Sequence, residues 1–169
     1  PDFTVQSGRS VVDGEAARRA LAVACGTSAT MEDFVFRNGD SFFCVEVGEG
    51  ALVLERCSVE DNSCLFGSVR VFRGSVLLRD STVRNNQGGA GIECHFGSVT
   101  LERCSVLDHS AQGLGLESGS ANASATVVRG NGGPGIDSFD GDVVLHDCTI
   151  EGNSGGLLNF TGTMHVERS

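Results

Sequence analysis

The stretch Gly50-Ala-Leu-Val-Leu-Glu-Arg-Cys-Ser-Val-Glu-Asp-Asn62 decides the fold, because its outline returns at Gly74, Gly97, Gly119, Gly141 and Gly162. The steps are 24, 23, 22, 22 and 21 residues. An earlier copy lacks the leading glycine and sets Ala29, Met31, Phe34 and Phe36 in the apolar slots. Self-similarity at a fixed period of roughly 20–50 residues signals a stacked-repeat architecture.

Each copy contains three short alternating segments. The first puts Leu52/Leu54, Val76/Leu78, Val99/Leu101, Ala121/Ala123, Val143/Leu145 and Met164/Val166 on one face. A small slot follows (Phe34, Cys57, Ser81, Cys104, Thr126, Cys148), then a hydrophobic one (Phe36, Val59, Val83, Val106, Val128, Ile150). The third segment aligns Val45/Val47, Val69/Val71, Ile92/Cys94, Leu114/Leu116, Ile136/Ser138 and Leu158/Phe160. Alternation in runs this short predicts strands rather than helices. Three strands per repeat of about 22 residues, stacked at the roughly 4.8 Å strand spacing, predict an all-β chain: a single-stranded parallel β-helix of about seven coils. Right-handed crossovers are the default for parallel strands. The pattern predicts one domain over 1–169, with 1–26 a degenerate capping coil and 27–169 regular coils. The segment Asp13–Ala22 fits a short capping helix, whereas Val11, Val12, Leu21 and Val23 fit strands.

The V-x-L-x-x-C-x-V-x-x-N outline and the recurring Asn62, Asn86, Asn131 and Asn153 resemble the right-handed parallel β-helix, or pectin-lyase-like, superfamily. The column departs from Asn at Gly39 and His109. The resemblance implies a ladder of Asn side chains inside one turn, bonding adjacent backbone. Asn suits such a turn because it tolerates the left-handed region and can pair backbone groups freed by the bend. Pectate-lyase-like enzymes of this superfamily imply a further role for the acids Glu93, Glu117, Asp137, Asp140 and Asp142. These would form a Ca²⁺ or sugar-binding patch, with Glu117, Asp137, Asp140 and Asp142 as the candidate Ca²⁺ ligands.

Composition excludes several chemistries. The charge balance is 12 basic against 22 acidic residues, and the chain has no Trp or Tyr. Every basic residue is Arg, so Schiff-base and P-loop lysine chemistry is absent. An acidic chain without basic runs is not a nucleic-acid binder, and no apolar run reaches the roughly 20 residues of a membrane helix. No G-x-S-x-G elbow or C-x-x-C occurs.

Charges fall into columns one repeat apart. One turn column reads Asp33, Arg56, Asp80, Arg103, Ala125, Asp147, Arg168, which predicts intercoil ion pairs through Arg56–Asp80–Arg103. Cys57, Cys104 and Cys148 share the small inward slot at spacings too long for a bridge, while bridges among Cys25, Cys44, Cys64 and Cys94 are open. Sequons at Asn122 and Asn159 favour a secreted chain and the core thiols lean the other way, so the compartment is undetermined.

Phe72, Phe96 and Phe139 are expected on the surface, and Leu157, Phe160 and Met164 at an open last coil that a protein partner or a second copy would cover. The residues favour a non-catalytic structural or interaction module, in which no catalytic group and no cofactor is assigned. The alternative is a carbohydrate-active enzyme, a polysaccharide lyase or uronate epimerase, or a sugar-binding module.

Overall fold

All three alternating segments of the repeat form strands, each beside its counterpart one repeat later. The computed structural model describes the backbone of residues 2–6 and all of residues 9–169. Sheet 1 stacks Ser28–Glu32, Ala51–Glu55, Ser75–Arg79, Ser98–Glu102, Ser120–Ser124, Gly141–His146 and Gly162–Glu167. Sheet 2 runs from Arg9–Asp13 through Phe34–Arg37, Ser58–Glu60, Thr82–Arg84, Ser105–Leu107 and Val127–Arg129 to Thr149–Glu151. Sheet 3 stacks Leu21–Val23, Asp40–Val47, Ser63–Phe72, Gln87–His95, Leu114–Glu117, Pro134–Phe139 and Gly155–Asn159. All these pairings are parallel; only Asp2–Gln6 joins sheet 2 antiparallel, against Arg9–Asp13. The described residues form a β-solenoid of about seven coils, three strands to a coil, without a helix.

Alternation places one face of each strand in a continuous interior. Leu52, Val76 and Val99 are register partners, as are Leu54, Leu78 and Leu101, and all six are at most 2 % exposed. Burying each such side chain contributes about 1.5–3 kcal/mol. The leading glycines mark close backbone approach: a Cβ on Gly74 would lie 2.0 Å from the Gly48 carbonyl oxygen. The described thiols Cys57, Cys94, Cys104 and Cys148 are buried and free. Cys44 and Cys64, in adjacent coils with Cα atoms 6.0 Å apart, form the disulfide that the sequence left open among four cysteines.

Left-handed residues turn the corners. Asp33, Arg56, Asp80, Arg103, Ala125 and Asp147 bend the chain from sheet 1 to sheet 2, with φ between 48° and 59°, and Arg168 takes the same conformation after the last strand of sheet 1. At the next corner the left-handed residue is Asp61, Asn85, Asp108, Gly130 or Gly152, the one before each Asn-column position. The column residue is therefore not itself the left-handed one, contrary to the sequence reading. Its side chain bonds backbone instead. Asn62 Oδ1 accepts from Gly39 N–H at 2.8 Å, Asn86 Oδ1 accepts from Asn62 N–H at 3.0 Å, and Asn153 Oδ1 accepts from Asn131 N–H at 3.0 Å. Where Asn gives way to His109, the imidazole Nδ1 takes the Asn86 N–H at 3.4 Å and Nε2 is buried without a partner.

Two local expectations are corrected. The segment Asp13–Ala22 leaves one strand at Asp13, turns through residues 14–20 and enters the next strand at Leu21, and forms no helix. Glu15 and Ala16 sit at φ 54° and 51°, and the N–H groups of Gly14, Ala16 and Ala20 donate to Arg37, Asn38 and Cys44 of the next coil. Those three donors are lost to helical bonding, and the Ala17 N–H closes a single local turn on the Gly14 carbonyl at 3.1 Å. In the last coil the inward pair is Leu157/Asn159, since Leu157 faces Ile136 and Asn159 faces Ser138. Leu158 and Phe160 point outward, a one-residue slip that flips faces where the repeat shortens.

Ion pairing follows the turn column but in discrete pairs. Arg103 reaches back to Asp80 through two bonds of 2.7 and 2.8 Å, while Arg56 turns to Asp33 at 3.1 Å and to Glu32. Asp80→Arg is therefore expected to lower the melting temperature modestly, and Arg103→Asp rather than Arg56→Asp to recover part of the loss. A double-mutant cycle with zero coupling between 80 and 103 contradicts this pairing.

Candidate binding cleft

Sheet 3 projects two outward columns. One reads Glu46, Arg70, Glu93, Gly115, Asp137, Leu158, and its neighbour reads Phe72, His95, Glu117, Phe139. Gly115 carries no side chain where Glu93 and Asp137 carry carboxylates, and the Gln112 side chain lies over it, 3.1 Å from where a Cβ would stand, forming the floor of a hollow. It is an open cleft of about 380 Å³, lined by Glu93, His95, Gln112, Gly115, Leu116, Glu117, Asp137, Phe139 and Phe160.

His95 lies between two carboxylates. Its Nδ1 is 2.7 Å from Glu117 Oε2, and its Nε2 is 2.9 Å from Glu93 Oε1 without hydrogen-bond alignment. Glu93 Oε2 is buried and unpaired. Asp137 has no ion-pair partner among the described residues. Among the described residues no Ser, Thr, Cys or Arg lines the cleft, so its chemically active side chains are the carboxylates and the His95 imidazole. Its polar atoms are mostly acceptors, with the Gln112 amide and the imidazole as the side-chain donors.

The four candidate Ca²⁺ ligands are divided between different surroundings. Glu117 and Asp137 line the cleft. Asp140 turns a corner at φ 56° and accepts from the Ser118 hydroxyl at 3.3 Å, and Asp142 accepts from Thr163 N–H and from its hydroxyl at 3.2 and 2.5 Å. Among the described residues no three carboxylate, imidazole or thiol groups converge as a metal site requires. No helix among them is long and apolar enough to cross a membrane.

The aromatic candidates form pairs along sheet 3. Phe72 meets Phe96 edge-on with centroids 6.2 Å apart, and Phe139 meets Phe160 tilted by 46° at the same spacing. Phe96, Phe139 and Phe160 are each more than half exposed. Leu157 and Met164 pack against the core instead.

Three cleft residues escaped the sequence reading. His95 shares a column with Glu117, which only the register reveals. Gln112 reaches the cleft from an irregular turn. Gly115 is legible only once the register aligns it between Glu93 and Asp137. A second unread feature is the exposed cluster of Phe42, Leu65 and Phe66 beside the disulfide, of which Phe42 and Leu65 line a hollow of about 410 Å³. It arises from register shifts between Ser41 and Phe43 and between Gly88 and Ala90, which break strict alternation. A smaller hollow joins Phe43, Phe66 and Arg70 to Glu93 and His95, so the outer face of sheet 3 is grooved across several coils.

A family model described as a right handed beta helix region matches residues 19–169. No curated protein and no solved structure matches the chain.

Proposed function

The chain belongs to the right-handed β-helix family, and from that footing we propose that it is a non-catalytic interaction module whose contact face is the outer surface of sheet 3. The fold hosts unrelated activities, so the site has to carry the reading. One observation carries it: the Gly115 cleft is flanked by exposed aromatic rings and lined by carboxylates that no arginine pairs. On other columns arginines answer carboxylates of adjacent coils, as in Arg84 to Glu60 at 2.9 Å and Arg79 to Glu102 at 2.7 Å. Unanswered polar groups beside exposed apolar rings are the composition of a contact surface.

The second reading, a carbohydrate-active enzyme, is favoured by His95 between Glu93 and Glu117, a grouping suited to proton transfer. One comparison separates the two. The chain and its Gly115→Val variant, which fills the cleft, are assayed for turnover of uronide and neutral polysaccharides with and without Ca²⁺, and for stoichiometric complex formation in native extract. The module reading expects no turnover and a complex that Gly115→Val abolishes. Turnover lost in the variant establishes the enzyme, and a complex indifferent to the variant removes sheet 3 as the contact face.

A further inference from the structure

Resting on that reading of sheet 3, we infer that the cleft's ligand is a cationic protein segment, an extended stretch that carries arginine or lysine side chains between apolar ones. The pattern of aromatic pairs points there. The Arg70 guanidinium lies 4.1 Å from the centroid of Phe43, the ring that pairs with Phe66, and 5.3 Å from that of Phe72, and Arg73 lies 5.3 Å from Phe72 and 6.0 Å from Phe96. The Phe139–Phe160 pair has the same 6.2 Å spacing as Phe72–Phe96, yet no guanidinium sits over it among the described residues. The faces of these rings attract cations. Next to the empty pair lie the carboxylates of Glu117 and Asp137, with the unpaired Glu93 Oε2 one step deeper. A cation entering from solvent meets ring faces and carboxylates together, the arrangement that the chain makes with its own arginines at the aromatic pairs three and four coils earlier.

Other ligand chemistries fit less well. A uronate or phosphate would face three carboxylates in the cleft, and a formal charge of −10 on the whole chain. A neutral sugar presents hydroxyls that donate and accept alike, whereas the cleft offers acceptors with few donors. The same charge draws a basic segment toward the surface. The low floor made by Gln112 over Gly115 gives it room, and Arg70, held by Glu46 at 3.7 Å and by Phe43, closes one end of the groove to a cation. From the coil of Glu93 to that of Phe160 is three strand spacings, about 14 Å, which an extended peptide crosses in about four or five residues.

Titration calorimetry on the full 169-residue chain tests this with blocked pentapeptides, Leu-Arg-Leu-Arg-Leu and its glutamate counterpart, and with neutral and uronic-acid pentasaccharides. The arginine peptide is expected to bind and the glutamate peptide not to. Glu117→Gln and Asp137→Asn should each weaken binding by roughly tenfold, and added salt should weaken it further. Gly115→Val changes no charge and should abolish it; Phe160→Ala, at a fully outward position, repeats the test if the valine disturbs the fold. Arginine-peptide binding unchanged by both neutral variants reflects diffuse charge attraction and overturns the inference. Saccharide binding that Gly115→Val abolishes, with no arginine-peptide binding, overturns the cationic ligand and leaves sheet 3 as the contact face. Saturation of none of the probes overturns the cationic ligand, while the loss of a native complex in Gly115→Val still decides the face separately.

Discussion

Asn86→Ala is expected to lower stability by about 3–5 kcal/mol, seen as a large drop in the urea midpoint. The side chain is wholly buried and serves three groups. Its Oδ1 accepts from Asn62 N–H at 3.0 Å and from Asn62 Nδ2 at 2.9 Å, and its Nδ2 donates to the Val59 carbonyl at 3.0 Å. Alanine strands the Asn62 N–H and deprives the Val59 carbonyl of its side-chain bond in a dry turn, each at a cost of about 1–3 kcal/mol, while Asn62 Nδ2 keeps the Phe36 carbonyl at 3.2 Å, and it leaves a small void. Asn86→Asp keeps the acceptor but loses the donor, and should fall between wild type and alanine unless its charge is neutralised. A midpoint within error of wild type in Asn86→Ala contradicts this account of the turn.

Acid lability centred on His109 is the second large effect. The ring is 2 % exposed, and burial pushes its pKa from the ordinary 6.5 down to about 4. The unfolded chain therefore takes up the proton first as pH falls. This group's contribution is complete above about pH 6.5 and is lost progressively down to about pH 4, a fall of about 3 kcal/mol. Protonation would also place a donor at Nδ1, which now accepts from Asn86 N–H. His109→Asn restores the residue type of the column and removes the titration. It is expected to flatten the stability profile between pH 6.5 and 4. Parallel profiles for the two proteins would show that the imidazole does not control acid unfolding.

The fold was legible because the interior columns are dictated by alternation and repetition, which act over many coils at once. Leu52, Val76 and Val99 could be stacked by counting alone, and the register agrees. Counting fails where the chain departs from alternation. The shifts near Ser41 and Gly88 expose Phe42 and Phe66 on a face that strict alternation does not assign, and the shortened last repeat turns Leu158 outward. The Asp13–Ala22 segment has helical composition, yet the backbone of the next coil takes its N–H groups. The cleft was half legible: Glu93, Glu117 and Asp137 stood out as acids of one region. The absence of a side chain at Gly115 and the position of His95 gain meaning only once the columns are aligned. Grouping Asp140 and Asp142 with those acids failed because a left-handed corner lies between sheet 3 and sheet 1 and separates them from the cleft.

The most direct measurement is an amide-resolved NMR titration of the ¹⁵N-labelled chain with the arginine pentapeptide. The account predicts shifts confined to the outer face of sheet 3, strongest at Gly115, Glu117, Asp137 and Phe139, and absent from sheets 1 and 2. Shifts centred on sheet 1 or sheet 2, or spread evenly over the acidic surface, would contradict it.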